Sequence, residues 1–181
     1  PFSTSTLQQE AARKLGFPVA VTMRVAQSLY ESGLITYMRT DSMNLSDLCL
    51  NSCAPVITNI MGANYHQRRT YHTHAKGAQE AHEAIRPTDM ARQAITGDSR
   101  EQRLYELIWK RTIACQMANA QLERTTVNIS VISATANHNG CYFQATGEVV
   151  KFDGFLRVYR ESQGDDDNAN ATDESRLLPP M

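Results

Sequence analysis

The chain has 181 residues and a mass of 20.2 kDa, enough to bury roughly 70% of the surface of its unfolded form around a core without disulfide staples. Its composition of 41% hydrophobic and 20% charged residues contains no apolar run near the ~18 residues that span a bilayer, which excludes a membrane-spanning helix and predicts no membrane partner. The net charge of -1 conceals an asymmetry: bases outnumber acids up to residue 124, acids outnumber bases afterwards, and most of the 18 basic side chains are arginine. The guanidinium fork suits bidentate phosphate recognition, so the front of the chain leans towards a phosphate-rich partner. Four cysteines, Cys49, Cys53, Cys115 and Cys141, are too few for a disulfide scaffold and are read as thiols of a cytoplasmic protein. The opening Pro1 and the closing Pro179-Pro180-Met181 suggest a segment of a longer polypeptide.

In chain order, Ser5 and Thr6 each precede a Gln by three residues, a capping-box pattern for a short helix from Leu7 to Leu15 that stops at Gly16. Pro18 suits the start of a second helix, on which Val19, Met23, Ala26, Leu29 and Tyr30 recur at helical spacing until Gly33. The pair has a helix-turn-helix layout, used for DNA but more often a plain packing unit. Leu34 to Met38 is β-branched and apolar enough for a short strand that delivers Arg39, Thr40, Asp41 and Ser42 at its exit. Ser46 or Asp47 can cap a third helix reaching Met61, closed by Gly62, with Cys49 and Cys53 one turn apart.

Residues 63–77 read as an irregular loop rich in His and Arg, and Gln79 to Arg86 as a short helix halted by Pro87. Tyr65, Tyr71 and Trp109, with the basic loop between the two tyrosines, offer rings on which unpaired bases could stack, although Trp109 fits a core position better. A long amphipathic helix runs from Asp98 to about Met117. The pattern then changes to alternation: Val127, Ile129 and Val131, an Asn139-Gly140 hairpin turn, then Cys141, Phe143 and Ala145, with a third strand from Phe155 to Tyr159. The acidic stretch from Glu161 to Glu174 reads as a mobile surface loop.

Several chemistries lack their residues. There is no Gly-x-Ser-x-Gly elbow and no phosphate loop ending in Gly-Lys. His66, His72 and His74 lack acidic or thiolate companions, Cys49 and Cys53 lack the second pair of a zinc site, and Asp165-Asp166-Asp167 is not followed by the third acid of a magnesium cluster. What remains is Ile35-Thr36-Tyr37-Met38-Arg39-Thr40-Asp41-Ser42 and, some forty residues later, Gln79-Glu80-Ala81-His82-Glu83-Ala84-Ile85-Arg86-Pro87.

Together with the opening PFSTSTLQQEA and the later LIWKRTIACQM, these two segments make the chain resemble, in order and over most of residues 1–160, the tyrosine-containing domain of bacterial type IA DNA topoisomerases. The resemblance implies an α+β chain. A mainly helical domain with a winged-helix-like, CAP-like core is expected over residues 1–121, followed by antiparallel strands of a hinge domain over 122–181. It implies an ATP-independent reaction through a 5′-phosphotyrosyl link at Tyr37, with Arg39 as phosphate anchor, His82 and Arg86 facing the DNA backbone, and Thr40 and Asp41 as local orienting or DNA-contacting residues. It further implies DNA, single-stranded where negatively supercoiled, as the partner, the remaining domains of a parent chain as neighbours, and Mg²⁺ held by a Toprim domain that this sequence lacks. No metal ligand is expected within the chain, which should be inactive alone.

The chemistry fits those residue types. A phenol with a pKa near ~10 is only about one part in a thousand phenolate at pH 7, so a nucleophilic Tyr needs a cation or base beside it. Lowering that pKa by two units takes roughly 2.7 kcal/mol of differential interaction, which Arg39, two residues on and on the same side of a strand, is placed to supply. The competing class is a non-enzymatic winged-helix module that binds DNA without cutting it. A tyrosine-recombinase reading fails, because Tyr37 precedes His82 and Arg86, and those two are separated by three residues instead of two.

Overall fold

Ser3 starts the first helix two residues before the sequence pattern suggests. Helix α1 (Thr4–Leu15) is capped by the Ser3 hydroxyl, which accepts from the Thr6 amide, while the Ser3 amide donates to Thr6 Oγ1 at 2.9 Å. The expected boxes built on Ser5 and Thr6 are displaced by a tertiary contact: the Thr4 amide donates to Thr40 O at 2.8 Å and the Thr4 hydroxyl to Met38 O at 2.8 Å. These long-range bonds fix where the helix begins. Gly16, at φ 67°, ends it in the left-handed conformation that glycine adopts without strain.

The computed structural model describes residues 1–71, 83–131 and 141–160. After the Gly16-Phe17-Pro18 turn, α2 (Val19–Glu31) buries Thr22, Val25, Ala26 and Leu29 on one face. Helix α3 (Asp47–Met61) begins at the Ser46 cap and stops at Gly62, as its sequence predicts. Helix α4 (Ser99–Ala114) carries a full capping box, in which Asp98 accepts from the first turn and Glu101 reaches back to the Asp98 amide. Leu7, Leu29, Ile35, Leu104, Ile108 and Ile113 are almost wholly withdrawn from water and form the core, each contributing about 1.5–3 kcal/mol by burial. Trp109 belongs to that core, its indole N–H donating to Met90 O at 3.0 Å.

The described residues fall into two units, one comprising residues 1–119 with those from 154 onward, the other the strands between them. The return of the chain to the helical unit corrects the third strand expected at Phe155 to Tyr159. Gly154 turns at φ 49°, residues Gly154–Arg157 form a single 3₁₀ turn, and the Phe155 amide donates to Ala118 O at 3.0 Å. The Tyr159 hydroxyl then donates to the buried Glu10 carboxylate at 2.6 Å. An aromatic pair four residues apart serves a helical turn as readily as a strand, and these contacts choose the turn.

Two further expectations change for one reason. Leu34 to Met38 forms no strand, and Glu83 to Arg86, the described part of the helix expected from Gln79, is extended. Their backbone groups are used across the gap between them: Ile35 bridges Pro87, Phe2 bridges Ile85, Thr36 N donates to Arg86 O at 2.9 Å, and Thr88 N donates to Leu34 O at 3.0 Å. These amides and carbonyls are engaged outside any helix, which a helical Glu83–Arg86 would not permit. Of the winged-helix core, the described helical unit contains the α1–α2 pair and isolated bridges but no strand ladder.

The second unit is a ribbon of β1 (Gln121–Ser130) and β2 (Tyr142–Phe152), antiparallel, in register from Leu122 opposite Val150 to Ser130 opposite Tyr142. Val127, Ile129, Phe143, Ala145 and Val149 share one face; Arg124 pairs with Glu148, and Gln144 with Asn128, on the other. The alternation read from Val127 to Ala145 is thus present, extended at both ends. The Asn139-Gly140 turn and the acidic loop from Glu161 to Glu174 lie outside the described residues. The chain is therefore α+β: four helices and a two-stranded antiparallel sheet among the described residues.

Candidate active site

The segment from Leu34 to Ser46 has no regular secondary structure, yet it is held at nearly every second residue. Thr4 clamps Met38 and Thr40 from α1, and its Oγ1 also accepts from the Thr40 amide at 2.8 Å. The Thr40 hydroxyl accepts from Ser42 N at 3.0 Å, and the Ser42 hydroxyl from Asn44 N at 3.1 Å. Asn44 O in turn receives the Ala84 amide at 2.8 Å. The side chains of this segment substitute for the ladder that a strand would have provided.

The consequence is an alternation of exposure. Met38, Thr40 and Ser42 are buried, whereas Tyr37, Arg39 and Asp41 are exposed, Tyr37 by 42%. Tyr37 and Arg39 thus both face solvent, and the strand from which a shared side was expected is absent. Arg39 and Asp41 have no hydrogen bond or ion pair to any other described residue, and Arg39 stands two residues along the chain from an accessible phenol. The Tyr37 ring meets that of Tyr30, from the last turn of α2, edge to face with centroids 5.3 Å apart. Thr40, grouped with Asp41 in the sequence reading, points instead into the fold as part of the clamp.

The second motif is tied to the first by one side chain. Thr36 Oγ1 donates to Ala84 O at 2.7 Å and accepts from Arg86 N at 3.0 Å, bringing residues separated by about fifty positions into contact. Arg86 does not extend towards solvent as a DNA contact would. It is 8% exposed, with Nη2 on Glu83 Oε2 at 2.7 Å and Nη1 on Pro87 O at 2.9 Å, so its guanidinium is consumed in holding the segment. Burial works against charge on Glu83, but hydrogen bonds from Arg86 and from Ser46 outweigh it and hold the carboxyl below the ordinary carboxylate range. Since Ser46 N donates to Glu83 Oε1 at 2.6 Å, Glu83 also ties this segment to the start of α3. His82, with the rest of the segment before Glu83, lies outside the described residues.

Other sequence candidates are absorbed by structure. Tyr65 is buried and its hydroxyl accepts from Arg157 at 2.9 Å; Tyr71 donates to Cys115 O at 3.0 Å. Both hydroxyls are thus engaged within the fold. Arg68 is engaged by Asn51 and Asp47, and Arg69 by Gln67 and Asn119. Cys49 and Cys53 are buried side by side on α3, where a hydrogen bond from Cys53 lowers the Cys49 thiol pKa and raises its own. Among the described residues no three His, Cys, Asp or Glu side chains converge to hold a metal ion, and no helix is long and apolar enough to cross a membrane. Sequence reasoning missed the framing roles of Thr4, Thr36 and Glu83. Their polar side chains carried no local signal, because each acts on a partner more than thirty residues away.

Both motifs lie within a match to the DNA topoisomerase family that covers residues 1–179. The chain belongs to the bacterial type IA DNA topoisomerase family. It is 54% identical to DNA topoisomerase 1 of Zymomonas mobilis, with all of this chain and 15% of that protein covered. With DNA topoisomerase 1 of Streptomyces coelicolor it shares 49% identity over 99% of this chain and 19% of the other. The solved full-length topoisomerase I from Thermotoga maritima superposes with a TM-score of 0.72 at 37% identity, over 91% of this chain and 28% of that one. The chain thus spans less than a third of the length of each of these topoisomerases.

Proposed function

We propose that this chain supplies the attacking residue of a type IA topoisomerase, which opens one DNA strand through a covalent tyrosyl intermediate, passes a strand through the gap and reseals it without ATP, relaxing negative supercoils. The Tyr37 oxygen attacks a backbone phosphorus, a P–O bond to Tyr37 forms, and the bond to the 3′ oxygen breaks; the phenol proton is lost and the departing 3′ oxygen gains one. Bond type is conserved between a phosphodiester and a phosphotyrosyl diester, so the reverse attack by the 3′ hydroxyl reseals the strand with no external energy source. Arg39 holds the non-bridging oxygens and stabilises the charge that develops there. His82 contacts the DNA backbone.

The observation that carries this reading is the exposed Tyr37–Arg39 pair, set on a backbone pinned at Met38, Thr40 and Ser42. Pinning lowers the entropic cost of aligning the phenol with phosphorus, since the backbone that carries the reacting group is held before DNA arrives. The resemblance assigns Mg²⁺ to polypeptide beyond this chain; the described residues offer no donor set for it, and no step here is routed through it. In the same reading the chain alone does not complete a cleavage cycle.

The test is adduct formation. The full-length enzyme, incubated with a labelled single-stranded oligonucleotide and trapped with denaturant, should yield a covalent protein–DNA product that disappears in Tyr37→Phe. An adduct that persists in that variant would remove Tyr37 from its role.

A further inference from the structure

Tyr30 and Tyr37 are both well exposed, at 40% and 42%, and yet they pack on each other with ring centroids 5.3 Å apart and planes inclined by 66°. Two large rings left at the surface gain little from the core, and this mutual contact is the ring pairing among the described residues that bears on how the Tyr37 ring is aimed. The clamps described above fix the backbone at Met38 and Thr40; they do not fix the two side-chain torsions of Tyr37. Tyr30, by contrast, stands on a rigid element. It follows Leu29, which is 1% exposed, in the last turn of α2, and the chain leaves that helix through Gly33 at φ 69°, with Leu34 N donating to Leu29 O at 2.9 Å. This left-handed exit turns the segment back, so that Tyr37 arrives beside the residue seven positions before it.

We propose that Tyr30 is a positioning residue, whose ring holds the Tyr37 phenol in one orientation through an edge-to-face contact so that the oxygen meets the scissile phosphorus in line. The inference rests on the reading of Tyr37 as nucleophile. The geometry lies within the range of attractive aromatic pairs, and such a contact acts on ring orientation, which bulk alone does not supply. The Tyr30 hydroxyl takes no part. As a positioning residue its ring acts through Tyr37 and not on the DNA, so it should affect the chemical step and leave DNA affinity alone.

The experiment uses the full-length enzyme and a fluorescent single-stranded oligonucleotide, with binding read by anisotropy and covalent adduct formation read under single-turnover conditions. Tyr30→Ala and Tyr30→Leu should slow adduct formation roughly fivefold with unchanged oligonucleotide affinity, the size expected from losing one aromatic pair. Tyr30→Phe, which keeps the ring, should restore the rate. A normal rate in both Ala and Leu variants would overturn the proposal. So would restoration by Leu, which would mean that bulk suffices, or a loss confined to affinity, which would make Tyr30 a base-stacking contact. Loss of all adduct in Tyr30→Phe would make Tyr30 itself the nucleophile and overturn it as well. Tyr37→Phe run alongside separates the two readings: an adduct there removes the nucleophile assignment whatever the Tyr30 variants do.

Discussion

Replacing Thr36 by Val keeps the shape of the side chain and deletes the hydroxyl that joins the two motif segments. In the wild-type chain that hydroxyl donates to Ala84 O at 2.7 Å and accepts from Arg86 N at 3.0 Å, and both partner residues are buried, Ala84 fully and Arg86 to within 8%. Each bond contributes about 0.5–1.5 kcal/mol net, and leaving a buried backbone donor or acceptor without a partner costs about 1–3 kcal/mol. Thr36 itself is only half-buried, so water can reach part of the gap, which places the expected loss near the lower end, about 2 kcal/mol. Urea unfolding followed by the fluorescence of Trp109, the one tryptophan of the chain and a member of the helical core, reads this unit directly. At a slope of roughly 2 kcal/mol per molar urea, the midpoint should fall by about 1 M in Thr36→Val, whereas Thr36→Ser, which keeps the hydroxyl, should lose only a small fraction of that. Equal midpoints for the Val and Ser variants would refute the bridge as a source of stability.

Three other outcomes follow from the same geometry. Tyr159→Phe removes the 2.6 Å donor to the Glu10 carboxylate, which is 7% exposed, and should destabilise the helical unit by about 1.5–3 kcal/mol in calorimetry; a change under about 0.5 kcal/mol would show that Arg13 and Lys14 suffice for Glu10. The Glu83 carboxyl is held below its ordinary pKa, so the unfolded form binds its proton more readily: its stabilising contribution is complete above the ordinary carboxylate pKa and is lost as pH falls through the depressed folded value. Glu83→Gln should therefore flatten the acid side of a stability-against-pH curve measured from pH 7 to pH 3, and an unchanged slope would contradict this. In the full-length enzyme, Arg39→Lys should retain oligonucleotide binding but slow adduct formation, because a point charge cannot grip two phosphate oxygens at once; wild-type rates would count against the phosphate-anchor role.

The helices show how far local chemistry reaches. The spans of α2, α3 and α4 were legible because capping residues, stop signals and apolar spacing act within a few positions of one another, as with Ser46 and Gly62 around α3 or Asp98 and Glu101 at α4. The start of α1 was displaced because its deciding partners, Met38 O and Thr40 O, lie more than thirty residues downstream. The segments around Tyr37 and Arg86 failed in the same way. Their apolar and β-branched residues satisfied a strand or helix pattern, but their backbone groups found one another across the fold. Arg86 illustrates the cost of reading a cation from its spacing. Only the positions of Glu83, Pro87 and Ser46 reveal that its charge is already spent.

By itself, the sequence determined the family, the spans of α2, α3 and α4, the alternation of the β ribbon and the presence of a phenol two residues from a guanidinium, since all of these are written in residue type and short spacing. The tertiary structure alone decided that Tyr37, Arg39 and Asp41 stand outward while Met38, Thr40 and Ser42 turn inward on a segment without a strand partner. It also decided that Arg86 is a brace, that Tyr159 returns to Glu10, and that Tyr30 lies against Tyr37. Such contacts depend on which distant hydroxyl, carbonyl or ring arrives within about 3 to 5 Å, and a one-dimensional pattern does not encode that distance until the core has packed.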